Sequence, residues 1–381
     1  MKICGVIAEY NPFHNGHIYM LQEIRKSFDG IAAVMSGNFV QRGEPACADK
    51  WTRAKWAMDG GVDLIIELPV VYAVNTAERF AFGAVSLLDG LGCIDGICFG
   101  SEAGEIQPIL AAAEMLEQEP AEVSGRLQEA LRSGESFPAA RQKAWDGLID
   151  GTLLSQPNNI LAIEYIRALI RLKSTIKPMT IPRLHAGYHD REGRGGIASA
   201  SGIRDMLRRN VDYSQYTPVG KLPAINTAPL DMIFIGELRR RGIRCFEEIP
   251  DVCEGLGDRF LKAAGKTADV GELLTLVHTK RYPKTRLSRI VINTILGNQR
   301  MLSQKPVQYA RVLAANETGR RILRQIKNTG AVEVVTKTAD YTKLHTDPVF
   351  QKDILATDIY ALCVPGDRLP GWDYRKSPVV E

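Results

Sequence analysis

The first hundred residues alternate short, almost unbroken apolar runs with stretches of helical period. Lys2–Ala8 (KICGVIA), Ile31–Met35 (IAAVM), Leu64–Glu67 (LIIE) and Gly96–Phe99 (GICF) read as strands. Between them, helical patterns run through His17, Met20, Leu21 and Ile24, over Ala48–Met58, and over Ala77–Leu88. Strands alternating with helices at this spacing specify βαβ units, whose right-handed crossovers build a parallel sheet. Several strands are apolar throughout, as strands covered on both faces must be. The expected fold is α/β: a Rossmann-like parallel sheet with helices on both faces, followed by a mainly helical C-terminal region.

Further along, Ile106–Leu148 is helical and acidic, and Asn158–Leu172 opens a helix after Pro157. Thr180–His185 reads as a returning strand, and Ile197–Leu207 as a turn feeding a helix. Past about residue 215 strand signals become rare. Leu287, Ile290, Val291 and Ile295 form one apolar stripe, with Lys284, Arg286 and Arg289 off it. Pro218 and Gly220 punctuate the chain, so we expect one domain over 1–215 and a second, mainly helical and basic, over 216–381.

No apolar run approaches the roughly 20 residues that span a bilayer, and the first strand is too short for a signal peptide. Seven scattered cysteines, an odd number, point to reduced thiols in a cytoplasmic protein. The net charge of +4 hides an asymmetry. Leu276–Gly330 holds twelve Lys/Arg against one acid, Glu317, a local net of +11 that leaves −7 for the rest. Such a segment either attracts a polyanion, RNA above all, or decorates a solvated helical face.

The sharpest chemical feature follows the first strand directly: Asn11-Pro12-Phe13-His14-Asn15-Gly16-His17. A strand that runs through a His-x-Gly-His turn into a helix aims backbone N–H groups and the positive end of the helix dipole at an anion. Two imidazoles three residues apart can donate to phosphoryl oxygens, and Gly16 leaves room for a base and ribose to approach. Such a site can stabilise the charge that builds on an α-phosphate as pyrophosphate departs.

The turn resembles that of the HIGH superfamily of nucleotidyltransferases and class I aminoacyl-tRNA synthetases. The longer strings GVIAEYNPFHNGH, SGNFVQRGEPA, FGSE, PNNILAIEYI, GYHD and IASASGIR are similar to something narrower, the bacterial tRNA(Met) cytidine acetate ligases. The likeness runs from Met1 to about Arg209. It implies that 1–215 is an ATP-binding catalytic domain and 216–381 a tRNA-binding region. It further implies activation of acetate by ATP as acetyl-adenylate, then transfer to N4 of the wobble cytidine of elongator tRNA(Met). Acetate and that tRNA are the implied partners, with no protein partner and no membrane.

Carried onto this chain, the family's ATP-binding loop covers Ile7, Ala8, Glu9, Tyr10, Asn11, Pro12, Phe13, His14, Asn15, Gly16, His17, Ile18, Tyr19 and Met20, with His14 and His17 catalytic. Its further nucleotide contacts fall on Gly100, Asn158, Arg183 and Leu184. Gly100 lies at a strand's carboxyl end, where bare backbone can approach a base. Asn158 either faces the ligand or caps its helix, and Arg183 is either a surface charge or a partner for phosphate or adenine. Ser199, Ser201 and Arg204 open another helix and are candidates to hold pyrophosphate. No KMSKS-like string is present. Lys280, Arg281, Lys284, Arg286 and Arg289, with Arg320, Arg321 and Arg324, are the expected tRNA-docking cations.

ATP phosphates call for Mg²⁺ as a companion, but no protein metal site is expected: His185 and His189 lack further ligands. Gly265-Lys266-Thr267 lacks the glycine of a P-loop, since position 260 is Phe260. Two other readings stay open at this point: a small-molecule adenylyltransferase of the same superfamily, and a non-catalytic RNA-binding protein on its scaffold.

Overall fold

The computed structural model describes residues 1–118, 120–183, 196–253 and 255–381. Its strands are β1 (Ile3–Ala8), β2 (Gly30–Ser36), β3 (Phe39–Val40), β4 (Glu44–Pro45), β5 (Leu64–Leu68), β6 (Gly96–Ser101), β7 (Lys177–Pro182), β8 (Tyr309–Ala315), β9 (Glu333–Val335) and β10 (Val379–Val380). One sheet runs β10-β8-β5-β2-β1-β6-β7, with β9 also paired to β8; β3 and β4 form a separate hairpin.

The order reverses beside β1. The crossovers β1–β2 and β2–β5 go one way and β5–β6 and β6–β7 the other, all parallel. Right-handed crossovers therefore put the helices Asn15–Arg25 and Lys50–Asp59 on one face, and Ala77–Gly90 and Pro157–Leu172 on the other. β1, β2 and β5 are buried almost throughout, which is why their sequences do not alternate. The point of reversal, outside the carboxyl ends of β1 and β6, is where such sheets hold ligands.

The sheet is not confined to residues 1–215. β8 lies antiparallel to β5, pairing Leu64 with Ala315 and Glu67 with Arg311. The C-terminal region thus supplies three strands as well as helices, and the expected boundary is not a boundary of the sheet. Arg311 interrupts an otherwise apolar run, and its partners are remote. Its guanidinium meets Asp373 at 2.5 Å and Glu67 at 3.5 Å, and Lys50 joins both carboxylates at 2.7 Å (Glu67) and 2.9 Å (Asp373). Among the described residues, no helix is long and apolar enough to cross a membrane.

Candidate active site

The carboxyl edge of the sheet is fixed by a buried arginine of the helix Lys50–Asp59. Arg53 donates to the carbonyls of Glu9, just past β1, of Ser36, the last residue of β2, and of Gly37, just past it. It is wholly buried, so three orphan carbonyls at strand ends and one guanidinium satisfy each other. Phe13 packs over Gly60, where a Cβ would collide with its ring.

From this edge the chain turns through Tyr10, at φ +46°, and a cis Asn11–Pro12 bond into the helix Asn15–Arg25. Tyr10, Asn11, Pro12 and Phe13 are buried and build the turn rather than line a cleft. Asn11 Oδ1 accepts from Cys47 N–H, 2.7 Å. Asn15 Nδ2 donates to the carbonyls of Gly196 and Gln215.

His14 is the N-cap. Its Nδ1 accepts from Gly16 N–H at 3.1 Å, and His17 Nδ1 accepts from His14 N–H at 3.1 Å. The two rings stack with centroids 3.7 Å apart. An Nδ1 that accepts a backbone hydrogen bond fixes the neutral tautomer with its proton on Nε2. Burial, and then the Arg183 guanidinium, push His14 down to about 3. Burial, His14 and Arg183 hold His17 well below the ordinary histidine range. Both rings are therefore neutral Nε2–H donors at physiological pH. At Gly16, which lines the cleft described next, a Cβ would come within 3.0 Å of the His14 ring. Its bareness seats the imidazole.

His14, Gly16, His17, Tyr19 and Met20 line one cleft together with Gly100, Ile181, Pro182, Arg183, Ile197 and Ala198. It opens on the β6–β7 side of the reversal point. Gly100 lets the stem of Arg183 cross β6, since a Cβ there would lie 3.2 Å from Arg183 Cγ. Arg183 Nη1 donates to Asn158 Oδ1 at 3.3 Å, and Asn158 Nδ2 donates to Glu102 Oε1 at 2.6 Å. Asn159 is the buried member of the pair: its Oδ1 accepts from Glu102 and Ala103 N–H, and its own N–H donates to Glu102 Oε2. Sequence reasoning missed Glu102 as the hub that orients Asn158 and Arg183, although it is the Glu of FGSE. Ile7, Ala8 and Ile18 are partly buried and pack against the core. Leu184, His185 and His189 lie outside the described residues.

The helix Ala200–Arg208 starts beside the cleft. Ser199 Oγ accepts from Gly202 N–H at 3.1 Å, and the Ser199 and Ser201 hydroxyls are 3.1 Å apart. Arg204 donates to the Asn11 carbonyl at 2.6 Å and to Glu44 at 2.7 Å. In this state Ser199 is a helix cap and Arg204 a brace between the histidine turn and β4.

The basic residues divide. Lys280, Arg281 and Lys284 are exposed, and Arg259, Arg281 and Arg286 surround the Tyr282 ring at 5.4–5.8 Å. Arg286 donates to the Asp251 carbonyl. Arg289 is not on a solvated face: it is buried and paired with Asp251 at 2.6 Å. The helix Lys284–Leu296 is buried from Arg289 onward, because it packs on several sides rather than along one stripe. Gly43, in the β3–β4 hairpin, approaches the backbone at Arg289 so closely that a Cβ would clash, which puts this helix next to the site.

Arg320, Arg321 and Arg324 are elsewhere. Their helix, Glu317–Thr329, passes beneath the amino ends of the strands, meeting Asp63, Gly30 and Gly92 in turn. Arg321 and Arg324 line a hollow there with Met1 and Asp29. Among the described residues, no group of three or more His, Cys, Asp or Glu is placed to hold a metal.

A mostly parallel sheet whose first strand runs into neutral, stacked histidines at a helix N-terminus, facing a cleft at the reversal point, defines a nucleotidyltransferase. The HIGH Nucleotidyl Transferase family model matches residues 1–369. The chain is 40% identical to a tRNA(Met) cytidine acetate ligase of Clostridium perfringens, with all of both chains covered. It is 41% identical to one of Thermoanaerobacter, with 98% of each covered. Crystal structures of Thermotoga maritima TmcAL superpose with TM-scores of 0.86, bound with alpha-thio ATP, and 0.89, apo; they are 30% and 32% identical, covering 100% of this chain and 99% of theirs. The chain belongs to the tRNA(Met) cytidine acetate ligase family of HIGH nucleotidyltransferases.

Proposed function

We infer that this chain is an ATP-dependent ligase that activates acetate as acetyl-adenylate and passes the acetyl group to N4 of the wobble cytidine of elongator tRNA(Met). The observation that carries the reading is the His14–His17 pair, whose Nε2–H groups sit at a helix N-terminus in the cleft. As acetate displaces pyrophosphate, negative charge grows on the phosphates, and preformed neutral donors stabilise it without reorganising. Arg183, oriented by Asn158 and Glu102, suits the nucleotide as a planar cation.

Mg²⁺ would accompany the triphosphate on phosphate oxygens and water. The tRNA would dock along Lys280, Arg281, Lys284 and Arg286, on the helical flank beside the β3–β4 hairpin. The seven free cysteines suit a reducing cytoplasm. The decisive experiment follows two half-reactions: acetate-dependent exchange of labelled pyrophosphate into ATP without RNA, and incorporation of labelled acetate into elongator tRNA(Met). Exchange that instead needs a phosphorylated small molecule would make the chain a small-molecule adenylyltransferase.

A further inference from the structure

We propose that Glu102 is the positioning residue that sets the affinity for ATP: its carboxylate fixes which way the Asn158 amide points and so keeps the Arg183 guanidinium aimed into the cleft. This rests on the reading above that Arg183 meets the nucleotide.

Both histidines are neutral, and among the described residues that line the cleft Arg183 is the only one that carries a charge. It faces both imidazoles closely enough to oppose their protonation. A triphosphate entering between them therefore meets its protein cation at Arg183. Yet Arg183 stands one residue past β7 and is exposed, and a long exposed side chain loses rotamer freedom when a ligand fixes it. Two contacts remove that freedom beforehand. The stem rests on bare Gly100, and Nη1 donates to Asn158 Oδ1 at 3.3 Å.

The Asn158 amide can hold Arg183 only with its oxygen turned that way, and Glu102 decides the matter. Glu102 Oε1 accepts from Asn158 Nδ2 at 2.6 Å, which leaves Oδ1 for the guanidinium. Glu102 Oε2 accepts from Asn159 N–H at 2.9 Å, and Asn159 Oδ1 accepts in return from Glu102 N–H at 2.9 Å. These reciprocal bonds lock the residue after β6 to the first turn of the helix Pro157–Leu172.

Both carboxylate oxygens thus face N–H donors, so the position demands an acceptor on each. An acceptor-only side chain against an amide gives the relay a fixed polarity, running from Arg183 through Asn158 to Glu102. Reversing that polarity between the last two takes both substitutions, Glu102→Gln with Asn158→Asp. The introduced amide then donates to the introduced carboxylate, while its oxygen still accepts from Asn159 N–H. The carboxylate's other oxygen still receives Arg183.

The test measures equilibrium binding of ATP alone to the full-length protein, with exchange kinetics and the unfolding midpoint read beside it. Glu102→Ala should raise the ATP Kd about three- to tenfold, with the loss in exchange falling on KM for ATP rather than on kcat. Arg183→Ala should raise Kd about 10–10²-fold. Adding Glu102→Ala to Arg183→Ala should change Kd less than about twofold, because the carboxylate acts through the guanidinium. The reversed pair, E102Q with N158D, should bind ATP within about twofold of wild type. A lowered unfolding midpoint in E102A with Kd within about twofold of wild type would make Glu102 a helix cap only and overturn the proposal. So would losses from E102A and R183A that multiply in the double variant. ATP affinity unchanged in R183A would overturn the placement of Arg183 at the nucleotide, and the proposal with it.

Discussion

Arg311 of β8 and Glu67 of β5 stand opposite each other in the sheet, guanidinium and carboxylate 3.5 Å apart and both buried. Lys50 and Asp373 complete the cluster, so the N-terminal sheet and the chain's last helix share one set of charges. Removing one member leaves the others desolvated and uncompensated, which costs about 3–5 kcal/mol. Asp373→Ala should lower the unfolding free energy by that amount in urea titrations. A loss below about 1 kcal/mol would show that water reaches the cluster.

The histidine pair carries two separable roles. Each Nε2–H donor lost should cost about 10²–10³ in adenylation rate, and His14→Ala also removes a helix cap worth about 1 kcal/mol. His14→Asn can still cap, so it should restore most of the lost stability without restoring pyrophosphate exchange. His17→Ala should likewise lose exchange. Near-normal exchange in either alanine variant would make that ring structural.

Both rings also make stability depend on pH. Folded His14 stays neutral down to about 3, and His17 is likewise held well below its ordinary range, whereas the unfolded chain protonates both near 6.5. Their contribution is therefore complete above about pH 6.5 and is lost as pH falls, by about 1 kcal/mol per unit per ring. Asp353 works in the opposite direction, because burial raises its carboxyl to about 7. The quantity to measure is the difference between wild type and a His14→Gln/His17→Gln variant across pH 5.5–7.5. Parallel curves would mean that the rings titrate normally in the fold.

What the sequence disclosed follows from range. β1, β2, β5 and β6 were legible because continuous apolar runs and helical periods are local properties, and the His-x-Gly-His turn because its chemistry lies within one helical turn. β8 was missed although YARVLAA is an apolar run between Pro306 and Asn316. Arg311 disguised it, and the carboxylates that neutralise it sit on β5 and near the C-terminus. Arg289 misled for the same reason, since its partner Asp251 lies outside the basic segment. A local charge count sees cations and not their remote counter-ions. The placement of Glu102 beside Asn158 and of Arg53 across two strand ends depends on the crossovers, which no single window of sequence contains.

The exposed cations make the last prediction. Lys280, Arg281 and Lys284 lie on the flank beside the β3–β4 hairpin, whereas Arg320, Arg321 and Arg324 lie on a helix under the opposite edge of the sheet. Phosphate contacts release counter-ions, so each one lost should flatten the salt dependence of binding by about 0.7–0.9 in logarithmic slope. Reversing Lys280, Arg281 and Lys284 to glutamate should weaken tRNA binding strongly and lower the slope by about 2–3, with pyrophosphate exchange retained. The same reversal at Arg320, Arg321 and Arg324 should change affinity less than about twofold. Arg289→Glu is no test of docking, because it buries a carboxylate against Asp251 and should unfold the helix. Filter binding across a salt series reads all of these, and equal losses from both exposed triplets would mean that the RNA wraps around to the amino edge.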